Sequence, residues 1–418
     1  MLHRKASGQN YAFVVVGVTF FALLIAAGLR SAPSVLLRPL ELGFGWDRAT
    51  TSFAAAIGIF LYGLVGPFAG ALMQGIGIRR TMLGGLTLMA VAVLASLWMR
   101  QPWHYVLLWG VVSGIGSGAI AGVLGATIVN RWFATRRGLM MGLLTASTAT
   151  GSLIFLPFMA WLTRTGAWTP VAIFVGIGAA AMIPIVWLLM PESPAAIGTT
   201  RFGAAPGEVP PAGPARGPGF AIQVLVDAAR VPMFWLLFGT FFICGLTTNG
   251  LVGTHLIAYC GDNGIPAVQA AGLLSLMGLF DLIGTTASGW LTDRYDPRKL
   301  LFAYYAFRGL SLIALPFLDF NATGLVVFAV IYGLDWIATV PPTVALANRH
   351  FGEARAPIIF GWVLTGHQIG AAVAAFGAGL IRSETGSYQA AFMLAGAFGV
   401  LAAFAAIGLA RRPEPLAV

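Results

Sequence analysis

Gly70-Ala-Leu72-Met-Gln74-Gly-Ile-Gly77-Ile-Arg79-Arg80 returns 219 residues later (Gly289 against Gly70) as Gly289-Trp-Leu291-Thr-Asp293-Arg294-Tyr-Asp-Pro-Arg298-Lys299. A second motif, Asn130-Arg131-Trp-Phe133 with Arg136, Arg137 and Gly142, returns as Asn348-Arg349-His-Phe351 with Arg355 and Gly361. Its offset is 218 and then 219. Two separate motifs sharing nearly one offset mark two homologous halves of the chain. Parallel halves of a membrane protein place a ligand site at their interface near the bilayer midplane.

The surroundings of these loops decide the solvent. Of 418 residues, 58% are apolar and 9% charged, against roughly 45–50% and about 25% in soluble domains. The mean hydropathy is +0.86. Long unbroken apolar runs exclude a β-barrel, whose strands alternate. At about 20 residues per span, the runs predict twelve transmembrane helices near 11–37, 49–73, 81–99, 103–129, 138–163, 168–190, 231–259, 266–291, 300–318, 323–347, 357–381 and 388–410. The apolar stretch Tyr11–Leu29 is long for a signal-peptide core and reads as an uncleaved first span.

The expected class is an all-α membrane protein with two pseudo-symmetric six-helix bundles, residues 1–190 and 231–418. The stretch 191–230 between them reads as a cytoplasmic linker. From Pro191 to Gly219 it is rich in breakers, with Pro210, Pro211, Pro214 and Pro218, and is expected to be flexible. Lysines and arginines number seventeen in the segments on the N-terminal side and five on the other, namely Arg38, Arg48, Arg100, Arg164 and Arg382. The positive-inside rule then places both termini in the cytoplasm, for a multi-pass protein of the cytoplasmic (inner) membrane. The net charge of +10 reports these loop arginines, and nucleic acid is not an expected partner. Cys244 and Cys260 make neither a disulfide framework nor a metal site. There is no catalytic constellation, so neither an enzyme nor a cofactor is expected.

The Gly-x-Leu-x-Asp-Arg loop after spans two and eight resembles the signature of the major facilitator superfamily over the whole chain, which implies the major facilitator fold, alternating access and a monomer. Its second copy keeps Asp293-Arg294; the first has Gln74-Gly75. The resemblance implies conformational-gating loops at Gly70, Gln74, Arg79, Arg80, Gly289, Asp293, Arg294 and Arg298, with Asn130, Arg131, Arg136 and Arg137. The run Asn130-Arg-Trp-Phe-x-x-Arg-Arg-Gly138-Leu-x-x-Gly142 is similar to the entry of span five in monocarboxylate transporters and the oxalate–formate antiporter. Phe280-Asp281-Leu-Ile-Gly-Thr285 resembles the monocarboxylate-transporter segment bearing an essential aspartate, with Thr285 where that family has arginine.

Four charged residues fall inside spans: Arg30, Asp281, Arg308 and Asp335. Each costs roughly 2.5–3.5 kcal/mol on insertion scales, so each needs a partner or a water-filled cavity. Their charges cancel, and a neutral quartet can accept an anion together with one proton. Arg30 falls close to the coupling lysine of the monocarboxylate transporters and offers a fixed fork to a carboxylate. Asp281 and Asp335 are the candidates for proton coupling, with Arg308 their expected partner. His255, Asp335, Asn249, Tyr332, His367, Tyr304 and Tyr305 join Arg30 as candidate substrate contacts, because polar groups inside spans are rare. The expected function is secondary transport of a small organic anion of the monocarboxylate type with proton symport. The alternatives are anion exchange and efflux of larger amphipathic compounds.

Overall fold

The computed structural model describes residues 8–120, 122–204, 218–318, 322–352 and 355–408. Twelve long helices run through them. The first six are α1 (Tyr11–Phe44), α2 (Arg48–Gly75), α3 (Ile78–Ala95), α4 (Pro102–Trp132), α5 (Arg137–Leu162) and α6 (Thr169–Leu189). The second six are α7 (Pro232–Asp262), α8 (Ala267–Thr292), α9 (Pro297–Ala314), α10 (Thr323–Phe351), α11 (Ala356–Thr385) and α12 (Gln389–Gly408). Eleven are long and apolar enough to cross a membrane; the other, α5, is a helix of 26 residues. Among the described residues there is no strand, only an isolated bridge between Phe133 and Phe202.

Local chemistry sets the helix ends. α1 runs through Pro33 and Pro39, past the apolar run, to a left-handed Gly45 (φ 70°). Asp47 then opens α2 by accepting the Thr50 N–H at 2.7 Å, and Asp296 opens α9 by accepting from Arg298 N at 3.0 Å. Such caps satisfy amide groups that have no partner within the helix. Pro170, Pro232 and Pro297 sit in the first turns of α6, α7 and α9, where a missing N–H costs nothing.

Across the two halves α2 packs on α11, α5 on α8 and α1 on α7, whereas α3 packs on α6 and α9 on α12 away from the centre. The outer helices carry exposed apolar side chains such as Trp187, Phe307, Phe404 and Leu401, as a lipid-facing surface requires.

The stretch expected to be flexible is ordered in its first part. Glu192 accepts Ile78 N at 2.7 Å and Arg79 N at 3.2 Å, and Phe202 N donates to Trp132 O at 2.8 Å. Proline-rich composition hid these anchors, because the partners lie in loops far away in sequence. A further helix, Pro218–Ala228, leads into α7. Residues 205–217 and the two tails, 1–7 and 409–418, lie outside the described residues, as do the side chains of Gln74 and Arg137.

Candidate substrate cavity

A cavity of about 330 Å³ lies between the halves, lined from α1, α2, α4, α5, α7, α8, α10 and α11. Two wide π-helical turns shape its wall, Val106–Val112 in α4 and Leu246–Val252 in α7. The first contributes Trp109 to the lining and the second Thr248 and Asn249. Such turns recur at functional sites because they re-aim side chains without ending the helix.

α10 is broken between Asp335 and Val340, ahead of Pro341 and Pro342, which carry no N–H for the turn before them. Neighbouring side chains satisfy the groups this break frees. Ser288 Oγ donates to Ala338 O at 2.6 Å, and Ile337 N donates to Asp281 Oδ1 at 2.9 Å. Arg308 Nη2 donates to the carbonyls of Asp335 and, at 3.1 Å, Trp336. The break is therefore held by α8 on one side and α9 on the other.

These bonds sort the four charges into two pairs of different character. Arg308 is fully buried, with Nε 2.7 Å from Asp335 Oδ2 and Nη1 2.9 Å from Cys244 Sγ. Its guanidinium lies over the Tyr305 ring, 5.6 Å from the centroid. Neither Arg308 nor Asp335 lines the cavity; Arg308 reaches its wall through the Cys244 thiol and the Trp336 carbonyl. Asp335 Oδ1 is buried without a partner among the described residues.

Arg30 and Asp281 both line the cavity, from α1 and α8 and so from opposite halves. Arg30 is half-buried beside Tyr62, 4.8 Å from the ring centroid, and has no carboxylate partner among the described residues. Asp281 takes two bonds on one oxygen: Oδ1 accepts from Thr285 Oγ1 at 2.9 Å as well as from Ile337 N. Its Oδ2 has no partner among the described residues. Thr285, at the place where the sequence lacks an arginine, thus holds the aspartate by a neutral hydrogen bond. A fork without an acid and a carboxylate with one open oxygen can together take an anion and a proton.

The other candidate residues divide. Asn249 and His367 line the cavity, and the buried His367 sits beside Cys244. Tyr332, Tyr304, Tyr305 and His255 do not line it. The Tyr332 hydroxyl donates to Thr247 O at 2.8 Å, and the Tyr304 and Tyr305 hydroxyls are buried beside Ser288 and Thr240.

His255 belongs to a separate polar cluster at the end of the bundle away from the termini. Its Nε2 lies 2.7 Å from Ala375 O and its Nδ1 2.8 Å from the Tyr388 hydroxyl. A carbonyl only accepts, so Nε2 carries the proton and Nδ1 accepts from Tyr388. That hydroxyl in turn accepts from Arg48 Nη1 at 2.6 Å. Arg48 also pairs with Glu41 and lies 3.9 Å from Asp262, which Arg382 bonds at 2.8 Å. Ala49 N donates to Ser383 Oγ at 3.1 Å. These bridges join α1 and α2 to α7, α11 and the start of α12 and close that end. In sequence Arg48 and Arg382 stand among the loop charges; the signal for the cluster is two acids and two bases, Glu41, Asp262, Arg48 and Arg382, at helix ends on one side.

At the opposite end, Arg294 stacks on Trp290 (4.1 Å) and Arg298 pairs with Asp296 at 2.6 Å. Arg79, Arg80 and Arg131 surround a second recess, and Arg136, at φ 58°, opens α5. Gly70 packs on Val123, Gly289 has open space about it, and Asn130 and Asp293 are exposed.

The profile of the Major Facilitator Superfamily matches residues 19–375. Monocarboxylate transporter 13 of Rattus norvegicus is 28% identical over 402 residues, 95% of this chain and 89% of that protein. An MFS-type transporter of Bacillus subtilis (strain 168), YcxA, is 26% identical over 380 residues, 89% of each. Among solved structures, a bacterial homolog of the human lysosomal transporter Spinster, inward-facing and occupied, superposes with a TM-score of 0.74 at 15% identity, covering 97% of both chains. A D-xylose–proton symporter superposes at 0.72 and 13% identity, covering 97% of this chain and 100% of that one. The chain belongs to the major facilitator superfamily and is a multi-pass membrane transporter that resembles the monocarboxylate transporters.

Proposed function

We propose that the protein carries a small organic monocarboxylate together with a proton by alternating access. The observation that carries this reading is the pair Arg30 and Asp281: two charges on opposite halves, lining one cavity, with no ion pair between either and another described residue. Arg30 binds the carboxylate through its fork, and Asp281 takes the proton on its open oxygen, so the loaded cavity regains neutrality. The volume of about 330 Å³ is at the small end of ligand sites and favours a short acid over a large amphipathic compound. His367 and Asn249 supply neutral hydrogen bonds to the same ligand. The similarity to the monocarboxylate transporters supports the substrate class.

In this reading the halves 1–190 and 231–418 rock as bodies joined through 191–230, with the paired-arginine loops as gates. The arginine excess supports an orientation with both termini in the cytoplasm. The end closed by Arg48, Tyr388 and Asp262 then faces outward. Uptake of radiolabelled short carboxylates into proteoliposomes under an imposed pH gradient tests the proposal. Accumulation driven by the gradient is expected; neither accumulation nor exchange of any short carboxylate overturns it.

A further inference from the structure

A recess of about 610 Å³ opens at the terminus-bearing end of the first half, between the α2–α3 loop and the ends of α4 and α6. Comparison with the second half shows what is unusual about it. At the 219-residue offset, Arg79 and Arg80 correspond to Arg298 and Lys299, and Gly77 to Asp296. In the second half Asp296 both caps α9 and pairs with Arg298. In the first half the acid is gone, and Gly77 takes φ 100° with a side chain's space already filled by the Glu192 carboxylate. Glu192 supplies the cap instead, with its two oxygens on Ile78 N and Arg79 N.

The cap is replaced, but the ion pair is not. Arg79, Arg80 and Arg131 line the recess without a carboxylate partner among the described residues; Arg131 Nη1 reaches only the carbonyl of Glu192, at 3.2 Å. Three guanidinium groups and one carboxylate leave the recess with two net positive charges. The walls are those of a membrane–water boundary. Trp187, in the last turn of α6, is 58% exposed and Ile76 48%, and both line the recess beside the arginines. Indole rings gather at headgroup depth, and basic groups there attract anionic lipid.

We propose that this recess is a binding site for the headgroup of an anionic phospholipid, with Arg79, Arg80 and Arg131 on the phosphate and Ile76 and Trp187 against the lipid's apolar part. The unneutralised arginines fit a phosphate bearing two or more acceptor oxygens, and the exposed apolar wall fits a lipid better than a free ion.

The test uses the full-length protein purified in detergent, titrated with phosphatidylglycerol, phosphatidylcholine or inorganic phosphate, with bound lipid counted by native mass spectrometry. Phosphatidylglycerol is expected to be retained in preference to phosphatidylcholine. The preference should fall roughly five-fold for each of Arg79→Gln, Arg80→Gln and Arg131→Gln, and should be untouched by Arg298→Gln. Equal retention of the two lipids by the unmodified protein overturns the proposal without any variant. So does undiminished preference in a folded Arg79→Gln, Arg80→Gln double variant. Displacement of phosphatidylglycerol by inorganic phosphate at equal concentration would show that the recess takes the free ion, and the lipid assignment would fall.

Discussion

Arg308 and Asp335 meet at 2.7 Å on α9 and α10, and their pairing braces a broken helix behind the cavity wall. Arg308 holds the carbonyls of Asp335 and Trp336 with the same guanidinium. Removing one partner strands a buried charge, at a cost of about 3–5 kcal/mol. Arg308→Ala is therefore expected to lower thermal stability and expression sharply. Arg308→Met with Asp335→Leu should recover part of both, as measured by fluorescence-detected size exclusion. Normal stability of Arg308→Ala with weakened substrate binding would refute the bracing role.

Arg30 has the opposite character, since it braces nothing among the described residues. Arg30→Gln should remove a charge-assisted contact of roughly 1.5–3 kcal/mol to the substrate, raising the half-saturating concentration at least ten-fold while expression stays normal. Arg30→Lys keeps the charge without the fork and should fall between. Concentration dependence of uptake for both variants decides the matter; unchanged values in both would mean that Arg30 merely reaches toward lipid headgroups.

Asp281 carries the expected proton. Asp281→Asn keeps both bonds in reach, because the amide oxygen can accept from Thr285 and Ile337 as Oδ1 does. Accumulation driven by a pH gradient should be lost while exchange of substrate across the vesicle membrane survives. Gradient-driven accumulation in this variant would move the proton site elsewhere.

Tyr388 links Arg48 of the first half to His255 of the second. Tyr388→Phe deletes the shared hydroxyl, and losing a hydrogen bond of about 1–1.5 kcal/mol shifts the closed-to-open ratio of that end roughly ten-fold. Spin labels at Leu42 and Glu384, exposed at the ends of α1 and α11, should report a new population at longer separation. An unchanged distance distribution would deny the cluster a gating role.

Asp296, in the α8–α9 loop, is held below the usual carboxylate range chiefly by its hydrogen bond to Arg298. A depressed carboxyl contributes stability that is complete above its unfolded pKa and is lost as pH falls through the lower folded value. Asp296→Ala should cost about 1 kcal/mol at neutral pH as a lost cap. The gap in melting temperature between variant and parent should persist at pH 5 and narrow only below about pH 4.

Particular residues mark how far the chain could be read. Arg30 and Asp281 stood out in sequence because a charge inside an apolar run is costly wherever the run packs, and both line the cavity. Asp335, Arg308 and His255 stood out by the same rule, and packing placed them elsewhere. Glu192 was invisible, since nothing local distinguishes an acid that caps α3 from an ordinary loop acid.

The sequence by itself determined the solvent, the long apolar helices and the internal repeat, because hydropathy adds along the chain and a repeat is a property of order. The tertiary structure alone decided which charge meets which. Arg308 chooses Asp335 over Asp281, Tyr388 reaches Arg48 across 340 residues, and Glu192 stands in for an acid lost at Gly77. A hydrogen bond needs its partners within about 3 Å. A hydropathy pattern fixes a side chain's depth and face to no better than a helical turn, so the choice waits for the packing of the helices.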